Sequence, residues 1–148
     1  MTDHSFTTTA TVANTAEDVY AAINRPRSWW STAIEGSATA VGDEFVFDSP
    51  GHHCWRMRVV DLAPPRTVVW RVEDTSSTDF VDDPTEWNGT TIRFDVTSRD
   101  GRTEIRFTHA GLVPDFECFD ACSAGWTGYI QRSLHRLLTA GQGEPGAY

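Results

Sequence analysis

Alternating hydrophobic and polar positions predict an antiparallel sheet across most of the chain. In residues 91–98, Ile92, Phe94 and Val96 share one face, and Arg93 and Asp95 point the other way. The same period of two predicts further strands at residues 6–12, 44–47, 53–62, 67–73 and 103–110. Such a sheet has one wet and one dry face, and the dry face needs a cover.

The cover is predicted to be a long amphipathic helix near the C-terminus, ending close to Gly141. The apolar positions that share one face of this helix are Phe119, Trp126, Ile130, Leu134 and Leu137. The fold class is therefore α+β, with a curved antiparallel sheet wrapped around the long C-terminal helix and two short helices after the first strand.

Two glycines within this helix are unusual. Gly125 and Gly128 each cost roughly 1 kcal/mol of helix stability relative to alanine. Either another backbone comes close to them, or volume is left open beside Trp126. An open volume lined by aromatic side chains would be a ligand cavity.

Turn and capping residues place the other elements. Asn14 or Thr15 caps a helix that begins near Ala16 and stops before Pro26, and residues 27–30 form a second short helix. The turn Arg99-Asp-Gly101 joins the last two strands as a hairpin.

The remaining segments carry weaker signals. Phe80–Val81 is a candidate edge strand within the polar segment 74–84, and residues 87–90 indicate a turn or bulge. One domain is expected over residues 1–148, with an ordered core at about 6–140 and a tail at 141–148 that frays.

Composition narrows the function classes. The 148 residues are 39% hydrophobic with a net charge of -9, which disfavours binding to nucleic acid or to an anionic membrane surface. No apolar run reaches bilayer length, and the N-terminus lacks the features of a signal peptide, so a cytoplasmic location is expected. Three cysteines, an odd count, fit reduced thiols.

Metal binding is not predicted. His52, His53 and Cys54 are adjacent, and Cys118 and Cys122 lie four residues apart on one helix face. The short Cys-x-x-Cys and His-x-x-x-His pairings of zinc sites are absent, and strand parity points Cys54 away from His53. No phosphate-binding glycine loop occurs, and neither a cofactor nor a metal is expected.

Four local signatures occur in order along the chain. They are Trp29-Trp30, Glu86-Trp87-Asn-Gly-Thr90, Phe107-Thr-His-Ala-Gly-Leu112 and Glu117-Cys-Phe-Asp-Ala-Cys-Ser-Ala-Gly-Trp126. With the predicted order of elements, they resemble the helix-grip fold of the START-like (SRPBCC) superfamily. Within it, the chain is similar to bacterial single-domain members of the family named for the activator of the heat-shock protein 90 ATPase. The resemblance runs from about Phe6 to about Pro145.

The resemblance implies the fold more strongly than it implies co-chaperone activity. It covers only the part that corresponds to the C-terminal domain of the chaperone-stimulating eukaryotic members. Many superfamily relatives bind apolar small molecules between sheet and helix, and a minority are enzymes built on the same cavity. The residues expected to line such a cavity here are Trp30, Phe45, His53, Trp55, Met57, Trp70, Phe94, Phe107, His109, Cys122, Trp126, Tyr129 and Ile130.

Three functions stay open at this point. The first is binding of an apolar or aromatic small molecule in that cavity. The second is a chaperone-accessory or other protein-interaction module, or a homodimer, with a filled core and an exposed apolar patch near Trp29, Trp30 or Phe116. The third is an enzyme of the cyclase or hydrolase type, with His109 or His53 facing the cavity. No catalytic residue is assigned, because no nucleophile and base arrangement is legible.

Overall fold

The computed structural model describes residues 5–49, 53–76, 88–114 and 119–145. Within them, seven strands form one antiparallel sheet in the order β1-β7-β6-β5-β4-β3-β2. The strands are β1 (Phe6–Val12), β2 (Ile34–Gly36), β3 (Glu44–Ser49), β4 (His53–Ala63), β5 (Thr67–Ser76), β6 (Thr91–Arg99) and β7 (Arg102–Ala110). Helices α1 (Ala16–Ile23) and α2 (Pro26–Trp29) follow β1, and a long helix closes the chain. The predicted α+β helix-grip class is confirmed.

Strand parity assigns the buried face as predicted. Ile92 and Phe94 of β6 are fully buried, while Arg93 between them is exposed and pairs with Asp95. The same alternation buries Val68, Trp70 and Val72 in β5 and Ile105, Phe107 and His109 in β7. Register shifts between β4 and β5, at Arg56/Met57 and Val59/Asp61, mark irregular pairing of the kind that bends a sheet.

The β6–β7 hairpin follows from its turn residues. Arg99 pairs with Arg102, so the loop contains only Asp100 and Gly101. Both have positive φ, 52° and 77°, which is the geometry of the two-residue type I′ turn. This turn matches the right-handed twist of the two strands and fixes their register.

The two short helices begin and end close to the predicted positions. Thr15 is the N-cap of α1, and its hydroxyl accepts a hydrogen bond from the Asp18 amide at 3.1 Å. Helix α2 starts at Pro26, one residue earlier than expected, with proline in the first turn where its missing N–H costs nothing. Strand β2 was not predicted, because its three residues are too few to show alternation.

The closing helix contains a segment that sequence periodicity does not reveal. It runs as α3 (Phe119–Gly128), a π-helical segment (Tyr129–Leu134) and α4 (His135–Ala140). The wider π turn places residues four and five apart on one side, and Tyr129, Ile130, Ser133 and Leu134 are all buried. Gly141 ends the helix with φ 83°, as expected of a C-terminal glycine.

The start of the C-terminal tail is docked, where the sequence indicated fraying. The Ser133 hydroxyl is fully buried and donates to the Trp29 carbonyl at 2.6 Å. The same oxygen accepts a hydrogen bond from the Glu144 amide at 2.7 Å. One side chain of the π-helical segment therefore holds both the end of α2 and the tail.

Ser133→Ala is expected to lower the free energy of unfolding by about 2 to 3 kcal/mol, because it leaves a buried carbonyl and an amide without this partner. Urea denaturation measures the change. Thr139→Ala is the control, since its exposed hydroxyl bonds only to His135 one turn back, and it should change stability by less than about 0.5 kcal/mol. Equal losses in the two variants would contradict the role of Ser133.

Candidate functional site

An aromatic cluster occupies the space between the sheet and the closing helix, and Trp30 lies at its centre. The Trp30 ring centroid is 4.9 Å from that of Trp126 and 5.0 Å from that of Phe47. It is 6.3 Å from Trp70 and 6.5 Å from Trp55. We define the aromatic cluster as Trp29, Trp30, Phe45, Phe47, Trp55, Trp70, Phe94, Phe107 and Trp126.

The cluster brings together most of the predicted cavity residues. Trp55, Trp70 and Trp126 meet through Trp30, which fills the space among them. Phe45, Met57, Phe94, Phe107 and Ile130 are buried around this centre. Trp29 and Trp30 are both buried, whereas the sequence suggested that one of them could lie at a cavity mouth or in a partner-facing patch.

Some residues of the interior are less enclosed than its centre. Phe47 is 8% exposed, and Trp55 and Tyr129 are 7% exposed, against 0% for Trp70. Cys122 is partly buried and packs against the same core. We call these four residues, Phe47, Trp55, Cys122 and Tyr129, the rim.

Open space lies beside the closing helix at Gly125, next to the rim. Gly125 lies three residues after Cys122 and four before Tyr129, on the side of the helix that they share. A Cβ atom built on Gly125 would meet no described heavy atom within 4 Å. Among the described residues, no backbone approaches Gly125 closely, and the volume beside it is open.

A buried hydrogen-bond chain ties the sheet to the helix at His109. The indole N–H of Trp126 donates to His109 Nδ1 at 3.1 Å, and His109 Nε2 lies 2.8 Å from Thr90 Oγ1. An indole nitrogen can only donate, so Nδ1 must accept and the imidazole proton must sit on Nε2. His109 Nε2–H therefore donates to the Thr90 hydroxyl.

Thr90 reaches this position because Gly111 leaves room for it. A Cβ atom on Gly111 would approach Thr90 Cγ2 to 2.8 Å, and Gly111 has φ 101°. Thr90 is also held by its carbonyl, which accepts from the Val72 amide at 2.9 Å. Three of the four sequence signatures thus meet at one point, through Thr90, His109 and Trp126.

The surroundings of His109 make it a neutral histidine. Its side chain is fully buried, and burial lowers the pKa of the imidazole to about 3. Protonation at Nδ1 would also place two N–H donors, those of His109 and Trp126, against each other with no acceptor between them. Both ring nitrogens are engaged with protein groups, which is the arrangement of a structural histidine.

Several other candidate groups are not covered by the structure. The His53 and Cys54 side chains, His52, Phe80–Val81, Glu86, Trp87, Phe116 and Cys118 lie outside what the structure describes. In the described residues, no group of three or more histidine, cysteine or acidic side chains is placed to hold a metal ion.

Two surface clefts lie away from the rim. One of about 390 Å³ lies between residues 13–17 and 98–103, beside the β6–β7 hairpin. Another, of about 270 Å³, lies where residues 24–28 face residues 36–39. Phe45 is the one predicted cavity residue that borders either of them.

The fold and the aromatic interior define a class: a helix-grip protein of the START-like (SRPBCC) superfamily. The family model described as Activator of Hsp90 ATPase homolog 1-like protein matches residues 13–139. The chain belongs to this family, as the sequence signatures indicated.

Solved structures agree with this assignment. The dimeric Aha1 of Colwellia psychrerythraea is 26% identical, with a TM-score of 0.76, and the alignment covers 93% of this chain and 98% of that one. Protein MLL2253 from Mesorhizobium loti is 18% identical, with a TM-score of 0.71 and coverage of 91% and 98%. DynU16, from the dynemicin biosynthetic locus, is 15% identical, with a TM-score of 0.71, and the alignment covers 96% of this chain and 49% of DynU16.

No curated protein matches the sequence. None of the helices described here combines the length and the apolar character that crossing a bilayer requires.

The buried neutral His109 predicts a pH dependence of stability. The unfolded chain binds a proton at this residue below about pH 6.5, and the folded chain does so only near pH 3. Above about pH 6.5 the imidazole is neutral in both states and does not lower the stability. Below that pH the free energy of unfolding falls by about 1.4 kcal/mol per pH unit. Urea denaturation at pH 7.5 and pH 5.0 measures the difference.

His109→Gln is the matched control, because its amide can accept from Trp126 and donate to Thr90 without titrating. The variant should fold, and its stability should fall by about 2 kcal/mol less than that of the native protein between the two pH values. The same pH dependence in both proteins would contradict a lowered pKa at His109.

Proposed function

We propose that this protein binds an apolar or aromatic small molecule between the sheet and the closing helix, entering at the rim. Membership in a helix-grip family supports a site at this interface. The rim supplies three aromatic side chains, one of them a tyrosine, and a thiol, which suits contact with an apolar ligand.

The observation that carries the proposal is the open space at Gly125. This glycine weakens the helix, and no described neighbour requires it. Its position between Cys122 and Tyr129 puts the missing side chain beside the rim. A ligand in the volume next to Gly125 would explain why this position carries no side chain.

The alternative functions have less support. A protein-interaction module was expected to have a filled core and an exposed apolar patch near Trp29, Trp30 or Phe116. Trp29 and Trp30 are both buried, and Phe116 lies outside the described residues. The one large hydrophobic side chain exposed among the described residues is Val41, at 60%. An enzyme was expected to use His109 or His53. His109 bonds to Thr90 and Trp126 through both nitrogens, and the His53 side chain lies outside the described residues. The dimer formed by the Colwellia relative makes a second copy of this chain the first protein partner to test.

Native mass spectrometry of freshly purified protein tests the proposal directly, because it reports bound organic molecules and subunit assembly together. Titration with the neutral fluorescent probe N-phenyl-1-naphthylamine then measures the site in solution. Gly125→Leu should weaken probe binding about tenfold or more, since the leucine side chain occupies the open volume.

Ala124→Leu is the matched control for this titration. Ala124 is exposed and directly precedes Gly125, so the substitution adds similar bulk on the outer side of the same helix turn. It should leave the affinity for the probe unchanged. Equal affinity in the native protein and Gly125→Leu would place the probe elsewhere, and absence of binding to the native protein would contradict the proposed function.

A further inference from the structure

Trp70 is a buried indole whose N–H has no acceptor among the described residues. The side chain is fully buried in β5, a strand flanked by β4 and β6. Its Nε1 makes no hydrogen bond there. A buried donor without a partner destabilises the protein, so it calls for an explanation.

Two other buried indoles of the same cluster do have acceptors. Trp29 Nε1 donates to the Ala22 carbonyl at 3.1 Å, and Trp126 Nε1 donates to His109. Trp29 is as buried as Trp70, and their rings lie nearly parallel with centroids 6.4 Å apart. The fold thus satisfies the N–H of one indole and leaves that of its neighbour unsatisfied.

Aromatic rings offer Trp70 only weak compensation. Phe45 and Phe94 lie edge-to-face with it, at centroid distances of 4.9 Å and 5.0 Å. An N–H pointing at a ring face is a real interaction but a weaker one than a bond to oxygen. An oxygen acceptor would therefore still be favoured at this position.

Trp30 contacts both Trp70 and the rim. Its ring centroid lies 6.3 Å from that of Trp70, 5.0 Å from that of Phe47 and 6.5 Å from that of Trp55. Trp30 follows the four-residue helix α2 and precedes β2, whereas Trp70 lies in the middle of the sheet. Because Trp30 lies outside the strands, a shift of its backbone leaves the hydrogen bonds of the sheet intact.

We infer that the ligand is an aromatic molecule carrying a hydrogen-bond acceptor, such as a ketone or ether oxygen. Its ring displaces the Trp30 indole, and its oxygen accepts the hydrogen bond from Trp70 Nε1. Trp70 then determines which aromatic molecules bind tightly. This inference rests on the proposed function and adds the chemical class of the ligand to it.

Two probes of matched size test the inference by calorimetry: 2-acetylnaphthalene, which carries a carbonyl acceptor, and 2-ethylnaphthalene, which carries none. The native protein should bind the ketone about tenfold more tightly. Trp70→Phe should reduce this ratio to below about threefold, because phenylalanine has no N–H to donate to the ketone oxygen. Trp29→Phe should keep the ratio, whatever its overall affinity, since the Trp29 N–H is already bonded to Ala22.

The ¹H–¹⁵N indole resonance of Trp70 gives a readout that does not depend on any variant folding. It should move downfield on addition of the ketone and much less with the hydrocarbon. Equal affinity for the two probes, a preference that survives in Trp70→Phe, or an unmoved Trp70 resonance would overturn the inference while leaving small-molecule binding intact. Binding of neither probe would overturn both proposals.

Discussion

The packing of tryptophan rings between a curved sheet and a single helix is the constraint on which the rest of this structure depends. Trp30 touches rings from β3, β4, β5 and the closing helix, so it sets the distance between the two layers. Burying an indole of this size contributes roughly 4 kcal/mol or more of transfer free energy. The polar groups of the interior are arranged around these rings.

The hydrogen bonds of those polar groups determine which rings of the interior are fixed in orientation. Trp126 is bonded to His109 and Trp29 to Ala22, which orients both rings. Ser133 fixes the backbone of Trp29 from the helix side. Trp30 and Trp70, by contrast, are held by ring contacts in the described residues, with no hydrogen bond there from either indole N–H.

Much of the fold could be predicted from local patterns. Period-two alternation gave the buried faces of β5, β6 and β7, including the inward position of His109, because parity needs only a few consecutive residues. The turn around Asp100 and the cap at Thr15 could be predicted for the same reason, since each depends on a few consecutive residues. The helix was recognised, but its π turn was not, since the apolar stripe continues through it with ordinary helical spacing.

The arrangement of the site could not be predicted in this way. His109 meets Thr90 and Trp126, which are 19 and 17 positions away along the chain, and no periodicity links such distances. The sequence also could not place Trp30 among the other indoles, because its position depends on how the segment after α2 packs against distant strands and the closing helix. The sequence left two explanations for Gly125, close approach of another backbone or open volume, and only the folded structure distinguishes them.

The position of β1 at one edge of the sheet has a consequence for synthesis of the chain. Within the described sheet, β1 pairs with β7 alone, in a register that joins Phe6 to His109. Of the seven described strands, β1 is therefore synthesised before the other six, and its partner β7 is synthesised last. Five of the seven residues of β1 are threonine or alanine, which keeps this strand only mildly apolar and less prone to associate with other nascent chains.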